Sequence, residues 1–402
     1  MASLTRVASV EPSPTSVPRT SGSPVARPFT LVNRDIYPLR AALDLDAACQ
    51  LVVRDGTAAE PRARPVFFAV DPAVANPAEE FRLRFETFAE TRLGASFVVS
   101  MPGGSVLTEG FFTADQGGNL LSDSFRAYGM VARYGFGELG ARRLERTLVD
   151  TQDMPGTAIV LGVQTNTNYF HWLLEALPRF WLAQQSPGLE RASILVPPLT
   201  PWMAEMAAVC GVPTDQQLVP PADETRWKHL LVPARGIWNI HTFTSHAFAL
   251  VDELRERVGP GHGGRPRRLF ISRARSASRQ IENEDEIFEI AASYGFERVF
   301  PEQLSFLEQV SLFAGAEAVA GALGAGLTNA VFMAPGSTLI EFAPEQRQGD
   351  AVLFANLAHH RRLRYAAVIG PLTGDELRPF DRRDFRIPFR TAAGAFRATM
   401  CY

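Results

Sequence analysis

The chain has 402 residues, enough for two core-forming domains, with 46% hydrophobic residues and a formal net charge of −3. That balance excludes a disordered or fibrous protein and gives no general basic field, so no nucleic-acid partner is expected. Lys228 is the only lysine, which leaves arginine, the better bidentate donor to phosphate, to carry the positive charge.

Cys49, Cys210 and Cys401 are too few and too scattered for a disulfide framework or a zinc site, so a reducing compartment is expected. No apolar run is long enough to span a bilayer, and the opening residues lack the apolar centre of a signal peptide. The expectation is a cytoplasmic protein, with peripheral attachment to membrane-bound machinery left open.

Residues 1–28, rich in Pro, Ser and Thr, predict a disordered tail. Residues 29–258 predict an N-terminal α/β domain, of which 29–150 is a strand-rich lead-in with candidates at 66–70, 81–85 and 96–101. Asp44 and Asp46 form a D-x-D, a pattern that can hold a divalent metal. They sit among alanines without a preceding apolar strand, so they read as a solvated helical face and no metal site is assigned.

A buried strand is expected at 158–163 (AIVLGV), followed by an amphipathic helix from 169 that carries Pro178. Strand and helix signals then alternate at 192–196, 202–209, 230–232 and 248–258, the rhythm of a parallel sheet. The run 259–266 (GPGHGGRP) marks a linker. Residues 267–371 predict a second, Rossmann-like domain, with strands at 268–272, 297–300, 318–322, 338–342 and 365–369. Helices fall between them at 283–294, 305–314, 327–332 and 350–362. The tail 372–402 is expected to pack back across the boundary onto the N-terminal domain.

The most informative stretch is 317–341 (EAVAGALGAGLTNAVFMAPGSTLIE), read as strand, glycine turn, helix and strand. Gly324, Ala325 and Gly326 have almost no side-chain bulk, and the helix start through Leu327, Thr328 and Asn329 offers free N–H groups and a positive dipole end. That is a place to hold a phosphate, although glycines there also serve packing alone. Glu341 could accept hydrogen bonds from a ribose. Arg273, Arg275 and Arg279 lie in a polar loop able to close over phosphate oxygens, or simply to face solvent. His171, with Glu175 one helical turn on, could take a proton from a hydroxyl, or could be a partly buried histidine with a helix partner.

Three ordered blocks carry a resemblance: 168–179 (NYFHWLLEALPR), 268–301 (RLFISRARSASRQIENEDEIFEIAASYGFERVFP) and 304–344 (LSFLEQVSLFAGAEAVAGALGAGLTNAVFMAPGSTLIEFAP). Over about 158–367 the chain resembles glycosyltransferase family 61, whose bacterial members are described as capsular polysaccharide biosynthesis proteins. The resemblance implies a GT-B architecture, two Rossmann-like domains with parallel sheets facing a central cleft. It implies inverting transfer from a nucleotide-sugar, UDP-linked, to a glycan or polysaccharide hydroxyl, without a bound metal or other cofactor. Arg273 and Arg279 would contact the diphosphate, and Gly324–Asn329 would form the phosphate turn. Glu341 would hold the ribose, Asn168 would belong to the donor contacts, and His171 would face the cleft. Many relatives carry a histidine directly before GAGL where this chain has Leu323. That leaves His171 as the expected base and Glu175 as the fallback. Two rival readings stay open. One is a non-catalytic sugar-nucleotide-binding or scaffold subunit. The other is an NAD-dependent sugar-nucleotide oxidoreductase or epimerase, against which the missing ordered G-x-G-x-x-G and Tyr-x-x-x-Lys count.

Overall fold

Short apolar runs closed by tight turns make the first half of the chain strand-rich, and longer amphipathic runs between strands make the second half α/β. A computed structural model describes residues 25–32, 50–55, 67–70, 93, 96–121, 136–140, 143–164, 167–185, 191–238, 242–260, 267–345, 348–374, 376–378 and 382–400. Asp44, Asp46 and the strand candidate at 81–85 lie outside these residues.

The first strands are β1 (Val25–Val32), β2 (Gln50–Asp55), β3 (Phe67–Val70), β4 (Ser96–Pro102), β5 (Ser105–Leu107), β6 (Phe112–Ala114) and β7 (Asn119–Leu121). They continue as β8 (Phe136–Gly140), β9 (Arg143–Leu148), β10 (Thr151–Val160), β11 (Ser193–Leu195), β12 (Gln217–Leu218) and β13 (Glu224–Pro233). All but β3 join one 12-stranded sheet, ordered β12-β11-β10-β13-β5-β6-β7-β1-β9-β8, with β4 on β13 and β2 on β4. Parallel pairing links β12, β11, β10 and β13, whose connections hold helices or long loops. The turns between β5, β6 and β7 are too short for a crossover and give antiparallel pairs. The expected N-terminal Rossmann-like sheet is therefore corrected to a mixed sheet with one parallel portion. The expected tail of residues 1–28 is corrected only at 25–28, because β1 begins at Val25 and pairs with β9 and β7.

After the short hairpin β14 (Ile237–Trp238) and β15 (Thr242–Phe243), the second sheet contains β16 (Arg268–Ile271), β17 (Glu297–Val299), β18 (Ala318–Ala322), β19 (Thr338–Pro344) and β20 (Arg364–Gly370). Its order is β17-β16-β18-β19-β20-β3, and every pair is parallel. The edge strand β3 comes from the lead-in expected to belong wholly to the other domain.

The first helix, α1, is an α turn (Tyr169–His171), a π-helical stretch (Trp172–Ala176) and an α segment (Leu177–Gln184). The others are α2 (Pro201–Val209), α3 (Ser245–Val258), α4 (Glu284–Ser293), α5 (Phe306–Ala314), α6 (Gln348–His360) and α7 (Phe389–Met400). Ser305 caps α5 in a capping box with Glu308. Among the described residues no helix is long and apolar enough to cross a membrane.

Both faces of the second sheet are covered, as an all-parallel sheet requires. Phe270, Ile340 and Phe342 pack with Ile287 of α4 and Phe396 of α7 on one side. The terminal helix thus lies on the C-terminal sheet, not on the N-terminal half as expected, and its contacts include β3, β19, β20 and α4. On the other side, one apolar cluster runs from Ile159 and Trp172 through Phe248 to Phe313, Phe332 and Leu339. The two sheets share that core, whereas two separate cores had been expected.

Candidate active site

The C-terminal sheet has a topological switch point. From β16 the chain steps outward to β17, then returns to place β18 on the other side of β16. Open α/β sheets bind ligands outside the carboxyl ends of the two strands that flank such a point. Here those ends lead into the Arg273 loop and the Gly324 turn.

The loop is pinned at its root by buried Glu284, the first residue of α4, which accepts hydrogen bonds from the Ser272 hydroxyl and, at 2.8 Å, from the Arg273 backbone N–H. The Arg273 guanidinium folds back on its own loop, donating from Nη2 to Ser278 O at 2.9 Å and from Nε to Arg279 O at 3.2 Å. Arg279 takes a left-handed backbone, φ 57°, a conformation that costs a non-glycine residue about 1–3 kcal/mol and here turns its carbonyl toward Arg273. The remaining nitrogen, Nη1, lies against Gly324, where an added Cβ would stand 2.1 Å away. It is that approach, and not backbone strain, that a side chain at 324 would disturb, since the φ of 171° is ordinary extended backbone. Burial and then the charge of Arg279 pull the Arg273 pKa down to about 10, opposed by Glu284, Glu302 and Asp384. Two guanidinium groups that repel each other beside a bare glycine backbone form a site suited to an anion. Arg275 leaves this pair and stacks over the Phe300 ring at 4.2 Å.

After Gly324 the chain forms a 3-10 helix, Ala325–Phe332, in place of the expected α-helix from 327. Ala325 and Gly326 are half-exposed, so their backbones are within a ligand's reach, while Leu327, Thr328 and Asn329 are buried. Asn329 is a tie between elements. Its Oδ1 accepts from the Tyr169 hydroxyl at 2.6 Å, and its Nδ2 donates to Gln309 Oε1 at 2.8 Å. Asn168 is also accounted for structurally, since its side chain caps α1 by accepting from Phe170 N at 2.9 Å.

A cavity of about 360 Å³ opens beside this turn, lined by Tyr169, Trp202, Glu205, Glu302, Gln309, Gly326 and Asn329 among others. Both halves of the chain contribute to it.

His171 and Glu175 are not among its lining residues. They are 6% and 1% exposed, and His171 Nδ1 lies 2.9 Å from Glu175 Oε1. Glu175 Oε2 lies 3.8 Å from Nη1 of Arg235, itself 3% exposed. The π-helical stretch that carries Glu175 has a local cause. Pro178 has no N–H to offer Leu174 O four residues back, and its ring would crowd that carbonyl, so an extra residue enters the turn. Gly236 covers the displaced carbonyls: its N–H donates to Glu175 O at 3.2 Å, and an added Cβ would stand 1.8 Å from Leu174 O. Arg235 and Gly236 were missed in the sequence, where the run PARG gives no sign of a partner 60 residues earlier.

Glu341 does not reach the switch point. It sits mid-strand in β19 with 0% exposure, accepting a 2.7 Å hydrogen bond from the Tyr365 hydroxyl. Burial pushes its carboxyl up to about 8, against the lowering effect of that bond. The expectation that it holds a ribose is corrected, because the adjoining strands and α6 seal its face of the sheet.

The comparison with curated proteins gives no match. Residues 169–340 match the family described as Glycosyltransferase 61, a span that starts at the first residue of α1 and takes in the π-helical turn, the arginine loop and the glycine turn. That family suggests glycosyltransferase activity, with a nucleotide-sugar donor and a glycan acceptor. Over these residues the chain is similar to glycosyltransferase family 61.

Proposed function

We propose that the protein is an inverting, metal-independent glycosyltransferase of GT-B type that moves a sugar from a UDP-sugar to a glycan hydroxyl. The observation that carries this reading is the Arg273 guanidinium lying on Gly324 at the switch point of the parallel sheet. In this reading the diphosphate takes the place beside Gly324, met by Arg273, Arg279 and the N–H groups of Ala325 and Gly326. As the glycosidic C–O bond to the diphosphate breaks, the electron pair leaves on the terminal phosphate oxygen, and those donors stabilise its growing charge. The acceptor oxygen attacks the anomeric carbon from the opposite face, which inverts the configuration.

The acceptor proton goes to His171 in this proposal. A carboxylate only accepts hydrogen bonds, so Nδ1 donates to Glu175 and Nε2 carries the lone pair that a base needs. Arg235 positions Glu175 from its other oxygen. His171 is nearly sealed in the structure, so the step requires the acceptor to approach along the start of α1.

Arg273→Ala is expected to lower turnover about 10²–10³-fold, the scale of losing one oxyanion donor. Turnover is read as release of UDP and of the anomeric product by NMR, with EDTA present. Near-normal turnover in both Arg273→Ala and Arg279→Ala, or a product that retains configuration, contradicts the proposal.

A further inference from the structure

The cavity beside the glycine turn differs in charge from the neighbouring arginine loop. Its lining includes Glu205 and Glu302, and no arginine, lysine or histidine among the described residues. Glu302 is within electrostatic reach of Arg273, and the two carboxylates disfavour a phosphate inside the cavity itself.

What it offers a ligand is specific. The Tyr169 hydroxyl is committed to Asn329, so its ring is what remains, with the Trp202 ring 6.1 Å away and tilted by 42°. Gln309 is likewise committed, donating to Leu304 O and accepting from Asn329. Glu205 accepts the Phe306 backbone N–H on one oxygen at 2.7 Å, and the other makes no hydrogen bond among the described residues. The cavity therefore presents aromatic surface and hydrogen-bond acceptors. At about 360 Å³ it lies in the range of small-molecule sites. Aromatic surface fits the apolar faces of a sugar ring, and carboxylates fit its hydroxyl donors.

We infer that this cavity is a subsite for an uncharged sugar ring, recognised by Trp202 and Glu205. The inference rests on the glycosyltransferase reading and deepens it: diphosphate at the arginine loop, neutral ring in the carboxylate-lined cavity. The ring belongs either to the acceptor or to the donor's own sugar.

The test is saturation-transfer NMR on the full chain with methyl glycosides of glucose, galactose, mannose, xylose and N-acetylglucosamine, with and without UDP. At least one glycoside should be saturated by the wild type with UDP present. Its affinity should fall at least tenfold in Trp202→Ala and in Glu205→Gln, which keeps the side-chain volume, while UDP affinity stays within twofold. A glycoside retained in the presence of UDP-glucose marks an acceptor ring. One displaced by UDP-glucose but not by UDP marks the donor's sugar, and either supports the subsite. Displacement by UDP alone, a loss of UDP affinity in Trp202→Ala equal to that in Arg273→Ala, or no glycoside signal from a UDP-binding wild type overturns it. Glycoside binding without any nucleotide binding would sink the transferase reading and leave the subsite standing.

Discussion

Gly324 and Gly236 each let the chain approach something that a methyl group would strike, but they strike different things. A Cβ on Gly324 would meet the tip of the Arg273 side chain, which can swing away. A Cβ on Gly236 would meet Leu174 O, a backbone atom within the π-helical turn, which cannot. The first glycine leaves room for the Arg273 guanidinium against the turn. The second holds a rigid, sealed cluster together. The junction between the two sheets thus has a polar region that a ligand can reach at half-exposed Ala325 and Gly326, and a closed one around buried His171, Glu175 and Arg235.

Four substitutions sharpen or break this contrast. The largest effect is expected from the closed side. Glu341 titrates at about 8 in the fold against 4.5 for the free side chain, so the folded state holds more protons than the unfolded state between those values. Its contribution to stability is full below 4.5, falls as pH rises through the window at about 1.4 kcal/mol per unit, and levels off above 8. Urea denaturation at pH 5 and pH 8.5 should show the wild type losing on the order of 4 kcal/mol that Glu341→Gln does not lose. Equal losses in both proteins would mean the carboxyl is not sealed. Next, Gly236→Ala should cost about 1–3 kcal/mol through overpacking against Leu174 O, seen in the same denaturation experiment. A melting curve identical to wild type would remove the closed cluster from the account.

On the open side, Gly324→Ala should leave stability within about 0.5 kcal/mol, because only the Arg273 side chain must move. Its UDP affinity should still drop about tenfold, or about 1.4 kcal/mol. Lost stability with unchanged affinity would reverse the roles given to the two glycines. The smallest effect is Asn168→Ala, about 1 kcal/mol of helix capping, with UDP affinity unchanged. A fall in that affinity would return Asn168 to the donor contacts expected from the sequence.

The same contrast explains what could be read from the amino acids. The strand at Ala318–Ala322 agrees with its expected bounds, and α4 and α5 fall within a residue of theirs, because period, caps and turn residues are local. The link between Arg273 and the glycine turn came from the family resemblance and not from the residues themselves; the fold accounts for it, since strand ends in a parallel sheet gather ligand-binding loops on one edge. The joining of β3 to β20 was not legible, because an edge strand records nothing of its partner in its own sequence. Neither was the sealing of Glu341: an acidic residue near a strand's end reads as exposed until the helix over it is in place. The π-helical turn needed Gly236 as well as Pro178, and only Pro178 lay within the helix pattern.

The most direct measurement is a calorimetric titration of the full chain with UDP in EDTA, wild type beside Arg273→Ala. The account predicts binding that survives the chelator and weakens at least tenfold in the variant. Binding that requires a divalent metal, or that is equally tight in Arg273→Ala, would contradict the claim that the guanidinium over Gly324 holds the donor diphosphate.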